Sequence, residues 1–299
     1  MMLTALSWGA IERNRALSQS GRSYMMGKKY LLLVVAMIGG IAGIFLRRWQ
    51  LETSFEPDTG LPIGGTTATL VIALVSAVVV LLLLLLSVSL RKQETPSLGY
   101  AETFHCRSFF YLLLIWAAAC FTAAAAVLHF RESLAQVDTN YLQMFFALLT
   151  LCAAASLFLI GKQHYQGKDL KGSLLLLLPA YSICLWLMVC YQHWARDPFV
   201  LDYVFALLAI ITSMLAHYFI ASYAFHKPNQ TAVFMSAMLA VYFSFVALAG
   251  SADFLNKCLY AAQILYFIPT VYVLCRNHGV GSSDLPDADS DHPLKEETP

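Results

Sequence analysis

His217 lies well inside an apolar run of this chain, eight residues from the run's end at Phe225. At the helical rise of about 1.5 Å per residue, that is a depth of about 12 Å. An imidazole at that depth can hydrogen-bond a second helix, line a cavity or act as a base. Ala209, Ser213, His217 and Ala221 recur every fourth residue and so share one helical face. The face is small and weakly polar, the kind that lets helices approach closely in lipid. In the last apolar run, Tyr260, Gln263, Tyr266 or Phe267, and Thr270 form a comparable stripe. Tyr266 is nine residues from Cys275, so its depth is close to that of His217 by the same rise. The spacing predicts that His217, Ser213, Gln263, Tyr266 and Thr270 meet in the interior of the C-terminal half. They would form either a hydrogen bond joining two helices or the wall of a small cavity.

A second polar group gathers at the expected outer edge: Arg47, Arg48, Arg131, Arg196, Asp197 and Asp202, with His193, Trp49, Trp194 and Tyr203 nearby. It reads either as a recognition surface for an anionic extracellular ligand or as headgroup contact within an interfacial aromatic belt. Haem would need axial partners at matched depth, and His129 and His193 sit near the outer edge, away from the depth of His217. The seven cysteines are odd in number and form no CxxC pair. Zinc sites and disulfide frameworks need clustered thiols outside lipid. No metal and no cofactor is expected, and the cysteines read as small apolar residues. Asp58-Thr59-Gly60 matches the aspartic-protease tripeptide once only, and a turn over Pro57 to Gly60 explains it. Asn229-Gln230-Thr231 is a glycosylation sequon on the expected cytoplasmic side. There is no phosphate loop, GxSxG elbow, HExxH pair or kinase motif set. With His217 as the only plausible base, no enzyme is expected.

The elements that must position these residues follow from composition. Of 299 residues, 59% are hydrophobic and 12% charged, against roughly 25% charged in a soluble domain. Too little polar surface remains to cover a water-soluble particle. A helix needs about 20 mostly apolar residues to span a bilayer. Runs at 30–46, 66–90, 109–130, 141–160, 173–191, 203–225, 231–250 and 258–275 meet that need or approach it. The expected fold is all-α, a polytopic transmembrane helix bundle of about eight spanning helices with no soluble domain. No Asp, Glu, Lys or Arg stands in the middle of any run. That pattern disfavours classes that work by moving charge within the membrane. The Leu/Val-rich second half of the second run is apolar on every side, which predicts a peripheral, lipid-facing helix.

Orientation follows from Lys and Arg in the loops. With the N-terminus inside, only Arg47, Arg48, Arg131, Arg196 and Lys257 of the 19 basic residues fall outside. An even number of spans returns the C-terminus to the cytoplasm. Residues 1–29 form a basic cytoplasmic segment, of which 1–24 is expected to be an amphipathic lead-in or the product of an upstream start codon. Residues 30–275 form the transmembrane domain. Residues 276–299 form an acidic, proline-containing tail expected to be disordered in the cytoplasm. Gly39-x-x-x-Gly43 is a close-approach motif that serves either internal packing or a homodimer seam.

The segment Leu46-Arg47-Arg48-Trp49-Gln50-Leu51-Glu52-Thr53-Ser54-Phe55-Glu56-Pro57-Asp58-Thr59-Gly60-Leu61-Pro62, joined to the anchor beginning Lys28-Lys29-Tyr30-Leu31, resembles an uncharacterised family of polytopic membrane proteins from clostridia-type bacteria. The resemblance covers residues 28–62. It implies a bacterial cytoplasmic (inner) membrane and a start near Met25, and it carries no activity. Two functions stay open. One is a non-enzymatic membrane component: a sensor, scaffold or partner subunit. The other is a permease or flippase for a small weakly polar or lipid-like substrate, for which Pro179 and Pro269 would break helices beside the His217 face. The expected partners are the lipid bilayer and a membrane protein or second copy at Gly39 and Gly43. Nucleic acid is not among them.

Overall fold

The structure, a computed structural model, describes residues 2–56, 61–91, 99–135, 140–168, 174–195, 200–250 and 253–277. Side chains are described from residue 27 onward, with Arg91, His193 and residues 200–202 described by backbone alone. Among the described residues there are nine α-helices and no strand beyond an isolated bridge between Phe55 and Pro62. The helices are α1 (Met2–Thr53), α2 (Thr67–Arg91), α3 (Tyr100–Phe104), α4 (Phe109–Ala135), α5 (Tyr141–Gln166), α6 (Leu174–Trp194), α7 (Val200–Ser222), α8 (Gln230–Leu248) and α9 (Phe254–Asn277). Eight of them are long and apolar enough to cross a membrane. The chain is a multi-pass membrane protein of the all-α class.

Several helices outrun the apolar runs that mark them. The candidate span within α1 continues to Thr53, α4 to Ala135 and α5 to Gln166, and α9 begins at Phe254. Backbone hydrogen bonding inside a helix does not stop where hydropathy falls. Polar residues at the interface simply extend it until a cap intervenes. Gly167 ends α5 in this way, in the left-handed conformation with its N–H on the Gln163 carbonyl, while Asn140 and Asn229 cap the starts of α5 and α8, accepting from the backbone N–H of Gln143 and Ala232.

Packing sorts the spans into a ring and an outrigger. Helices α4, α5, α6, α7, α8 and α9 each pack on the next, and α9 closes back on α4. The α1–α2 hairpin lies outside this ring against α8, with α1 also touching α9. Burial follows the same division. The window of α9 is 78% buried and that of α8 67%, whereas that of α2 is 28%. Leu70, Leu74, Leu81 and Leu85 of α2 are exposed, as suits a lipid-facing helix.

Gly39 and Gly43, expected to serve either internal packing or a homodimer seam, are filled by the chain itself. A Cβ on Gly39 would stand 3.1 Å from a Val79 methyl of α2, and one on Gly43 would stand 2.6 Å from a Val246 methyl of α8. Gly40 is tighter still, 2.5 Å from the Phe245 ring. These glycines let α1 seat on α8, and the seam is internal. Tyr242 of α8 completes the junction by donating to Ser76 of α2 at 2.8 Å.

The bundle has two ends. One carries Gly27 and Asn277 and is called the terminal face. The other carries the α1–α2, α4–α5, α6–α7 and α8–α9 connections and is called the distal face.

Candidate functional site

The small face of α7 turns inward. Ala209, Ser213, His217 and Ala221 are all buried. Across the ring, His217 Nε2 lies 2.9 Å from Gln263 Oε1 on α9. An amide oxygen only accepts, so Nε2 carries the proton and donates, given this amide orientation. The imidazole stacks on Tyr266 at 4.7 Å with 20° between planes, and Phe267 lies tilted beside it at 4.8 Å. Thr270 folds its hydroxyl back onto the Tyr266 carbonyl at 2.6 Å. Ser213 is buried with its hydroxyl unpartnered. His217, Gln263, Tyr266 and Thr270 are thus brought together, with Ser213 on the same α7 face.

The pair borders a cavity. Pro179, Ser182, Ile183 and Trp186 of α6, Thr122 of α4, Phe146 and Leu157 of α5, and Leu259 of α9 line it with His217 and Gln263. Its volume, counted for the centres of water-sized occupants, is about 20 Å³. That is room for a single water. Pro179 lies inside α6 and cannot supply a backbone N–H to the turn before it. The Thr150 and Ser182 hydroxyls meet at 3.2 Å between α5 and α6 beside the same chamber.

Toward the distal face a hydrogen-bonded side-chain pair stands between the chamber and the next cavity. Trp186 Nε1 donates to Asn256 Oδ1 at 2.8 Å, and Tyr260 packs on the indole at 5.0 Å. Trp186 belongs to the chamber wall, while Asn256 belongs to a much larger vestibule on the distal side. That vestibule measures about 420 Å³ and is lined by residues including His129, Glu132, Gln143, Trp194, Asp253 and Asn256.

Toward the terminal face lies a cluster that reading the sequence passed over. His164, near the end of α5, is fully enclosed and held by two tyrosines. Tyr100 OH is 2.6 Å from its Nε2, and Tyr111 OH is 2.7 Å from its Nδ1. Phe104 lies flat on the ring at 5.3 Å and 14°. A neutral imidazole donates once and accepts once, so one tyrosine gives a proton to the ring and the other takes one. Thr270 lies beside the Tyr111 hydroxyl. Its own proton is already committed to the Tyr266 carbonyl. Tyr111 can therefore donate toward Thr270 while accepting from Nδ1–H, which leaves Tyr100 to donate to Nε2. Burial, with Tyr266 and Tyr111 nearby, holds the Tyr100 phenol well above its usual range, so it stays a donor.

Tyr100 and Phe104 belong to α3, so the cluster pins that short helix into the terminal end of the ring. The Cys106 N–H donates to the His164 carbonyl at 3.0 Å, and Asn277 donates to the carbonyls of Thr103 at 2.8 Å and His105 at 2.9 Å. Residues 100–104 lie between two apolar runs and were assigned no element. Five helical residues are too few to show a period. His164 could have been found on the buried α5 stripe of Thr150, Ala153, Leu157, Ile160 and His164, had the span not been cut at Ile160.

Of the expected outer cluster, the side chains of Arg47, Arg48 and Arg131 are described, and Arg47 is turned inward. Arg47 is 1% exposed. Its guanidinium bonds Gln50 at 2.6 Å and lies over the Phe205 ring of α7 at 5.5 Å. Gln50 in turn donates to Thr69 of α2 at 3.1 Å. Arg47 is an internal anchor, because α1 stays helical past it and turns it toward α7. Arg48 and Arg131 are exposed on α1 and α4, outside the ring and within it respectively. Arg196 and Asp197 lie outside the described residues, as do Asp58, Thr59 and Gly60, most of the acidic tail and the side chains of residues 1–26; Asp202 is described by backbone alone. The distal cavity is walled by carboxylates where the sequence suggested arginines for an anionic ligand.

No family model, curated protein or solved structure matches this chain.

Proposed function

We propose that the protein is a permease for a small weakly polar solute, working without covalent chemistry. One observation carries this reading: the six-helix ring holds a vestibule open at one face, a small, mostly apolar chamber with a few polar groups at mid-depth and a hydrogen-bonded plug at the other face. The Trp186–Asn256 pair divides the vestibule from the chamber, and α3 with its His164 clasp blocks the terminal side. Pro179 and Pro269, expected to break their helices, instead lie within α6 and α9, which stay helical through both; the backbone groups that a proline leaves unbonded are tolerated at membrane depth where they border protein or a cavity. The interior offers hydroxyl, amide, imidazole and aromatic groups, and none of the residues lining the chamber is ionised by type. That suits a neutral species. In this reading both termini are cytoplasmic, the vestibule faces outward and the host is a bacterial cytoplasmic membrane.

The test is stopped-flow swelling of proteoliposomes with neutral solutes of graded size. Flux above that of empty liposomes is expected for the smallest solutes. It should rise in Trp186→Phe, which keeps the aromatic packing and loses the bond to Asn256. Background flux in both proteins would dismiss the permease.

One observation favours the other reading, a sensor, scaffold or partner subunit: with room for one water, the chamber holds no organic solute in this conformation. Co-purification of a stoichiometric membrane partner after mild extraction, with no flux, supports that role instead.

A further inference from the structure

The wall of the mid-depth chamber fixes the chemistry of what it can hold. His217 and Gln263 share one hydrogen bond, between Nε2 and Oε1 at 2.9 Å. Each side chain has a second polar atom, His217 Nδ1 and Gln263 Nε2, that meets no partner among the described residues. These two atoms differ from the sealed, partnerless groups of the interior, such as Ser213 Oγ and the His129 nitrogens. They keep open surface although their side chains are only 3% and 6% exposed, and both side chains line the chamber. Buried polar groups are as a rule hydrogen-bonded, to protein or to ordered water. Leaving one unmet costs about 1–3 kcal/mol.

The ligand's chemistry follows from donor and acceptor arithmetic. With His217 Nε2 donating, Nδ1 offers a lone pair and the amide offers an N–H. With the amide turned over, Nδ1 carries the proton and the amide oxygen becomes the free acceptor. Either way the pair turns one donor and one acceptor on the chamber. An anion or a cation would satisfy only half of that pair. No Asp, Glu, Lys or Arg lines the chamber to balance a charge. Thr122 already donates to the Ala118 carbonyl at 2.9 Å, so its oxygen is left as an acceptor. The Ser182 hydroxyl is shared with Thr150 at 3.2 Å. A volume of about 20 Å³ for the occupant's centre admits one heavy atom. Water fits the space, and it both gives and accepts hydrogen bonds.

We propose that the chamber is a binding site for one water molecule, held by His217 Nδ1 of α7 and Gln263 Nε2 of α9. The hydroxyls of Thr122 on α4 and Ser182 on α6 are its remaining partners, so the water joins four helices of the ring at mid-depth. One consequence rests on the permease reading: the same station sets the solute class as neutral hydrides of one heavy atom, water or ammonia, with urea held back. Occupancy by water does not require transport.

The experiment is magic-angle-spinning NMR of the full-length protein in lipid bilayers, reading the transfer of magnetisation from water to the His217 ring. The ring signals are assigned by difference against His217→Gln. Val241, fully buried in α8, gives the behaviour of a site that water does not reach. The His217 ring should draw magnetisation at a shorter mixing time than the Val241 methyls. Ala153→Val, which adds two methyl groups to the chamber wall from α5, should abolish that early transfer. Should Ala153→Val fail to fold, Ser182→Val fills the chamber from α6. Transfer to wild-type His217 as late as to Val241 would overturn the proposal; so would early transfer that survives the filling of the chamber. Early transfer with no flux of water or ammonia above that of empty liposomes would remove the permease and leave the bound water. Flux of urea with late transfer to His217 would do the reverse.

Discussion

Replacing Tyr111 with Phe should unlatch α3 from the ring. The substitution keeps the ring and removes one hydroxyl, which lies 2.7 Å from His164 Nδ1 in a fully enclosed site. The Nδ1 proton then loses its acceptor inside an enclosed site. A buried donor left unmet costs about 1–3 kcal/mol. Taking about 2 kcal/mol, the equilibrium for opening α3 shifts about 30-fold. Cys106 reports that opening directly. It is buried, it follows α3, and its own N–H is tied to the His164 carbonyl at 3.0 Å. In a variant with the other six cysteines replaced by alanine, a water-soluble maleimide should label Cys106 about 30-fold faster after Tyr111→Phe, provided reclosing outpaces labelling. Tyr100→Phe should act in the same direction, with α3 losing its donor to Nε2. His164→Phe keeps the flat packing on Phe104 but strands both hydroxyls, so adding Tyr111→Phe to it should cost less than Tyr111→Phe alone. Labelling at the wild-type rate in all three single variants would mean that α3 is held by something other than this clasp.

Two further substitutions probe the outrigger. Gly40→Ala places a methyl 2.5 Å from the Phe245 ring and 2.9 Å from its Cβ, which cannot swing away. Overpacking of that kind costs about 1–3 kcal/mol, and a lower melting temperature in detergent with unchanged oligomeric mass is expected. An unchanged melt would mean that α1 is not seated on α8 as described. Arg47→Lys should also lower the melting temperature, because an ammonium cannot lie flat over Phe205 while bonding Gln50. If lysine supports wild-type stability, Arg47 serves as a surface charge and not as the internal anchor described.

The residues differ in how far sequence alone reveals them. His217 and Gln263 were legible as partners because each sits on a helical stripe whose period and depth can be counted from the ends of its span. His164 was not. Its stripe runs past the end of the apolar run that marks α5, and its partners Tyr100 and Tyr111 lie more than fifty residues earlier in the chain. Arg47 was misjudged because hydropathy marks where lipid ends but not where a helix ends. Two more turns of α1 carry its side chain to α7. The vestibule was hidden for a related reason. Glu132, Asp253 and His129 look like ordinary interfacial residues until α4 and α9 come together.

Composition and periodicity alone determined that this is a membrane protein of the all-α class with eight candidate spans, because a lipid solvent forces long apolar runs and satisfied backbones upon any chain that crosses it. The tertiary structure decided which six helices close a ring, that Gly39 and Gly43 face inward, that α3 plugs one end and that an acidic vestibule opens at the other. Those choices depend on the azimuth at which each helix meets its neighbours. Azimuth is set by side-chain shape across helices distant in sequence, and no local pattern encodes it.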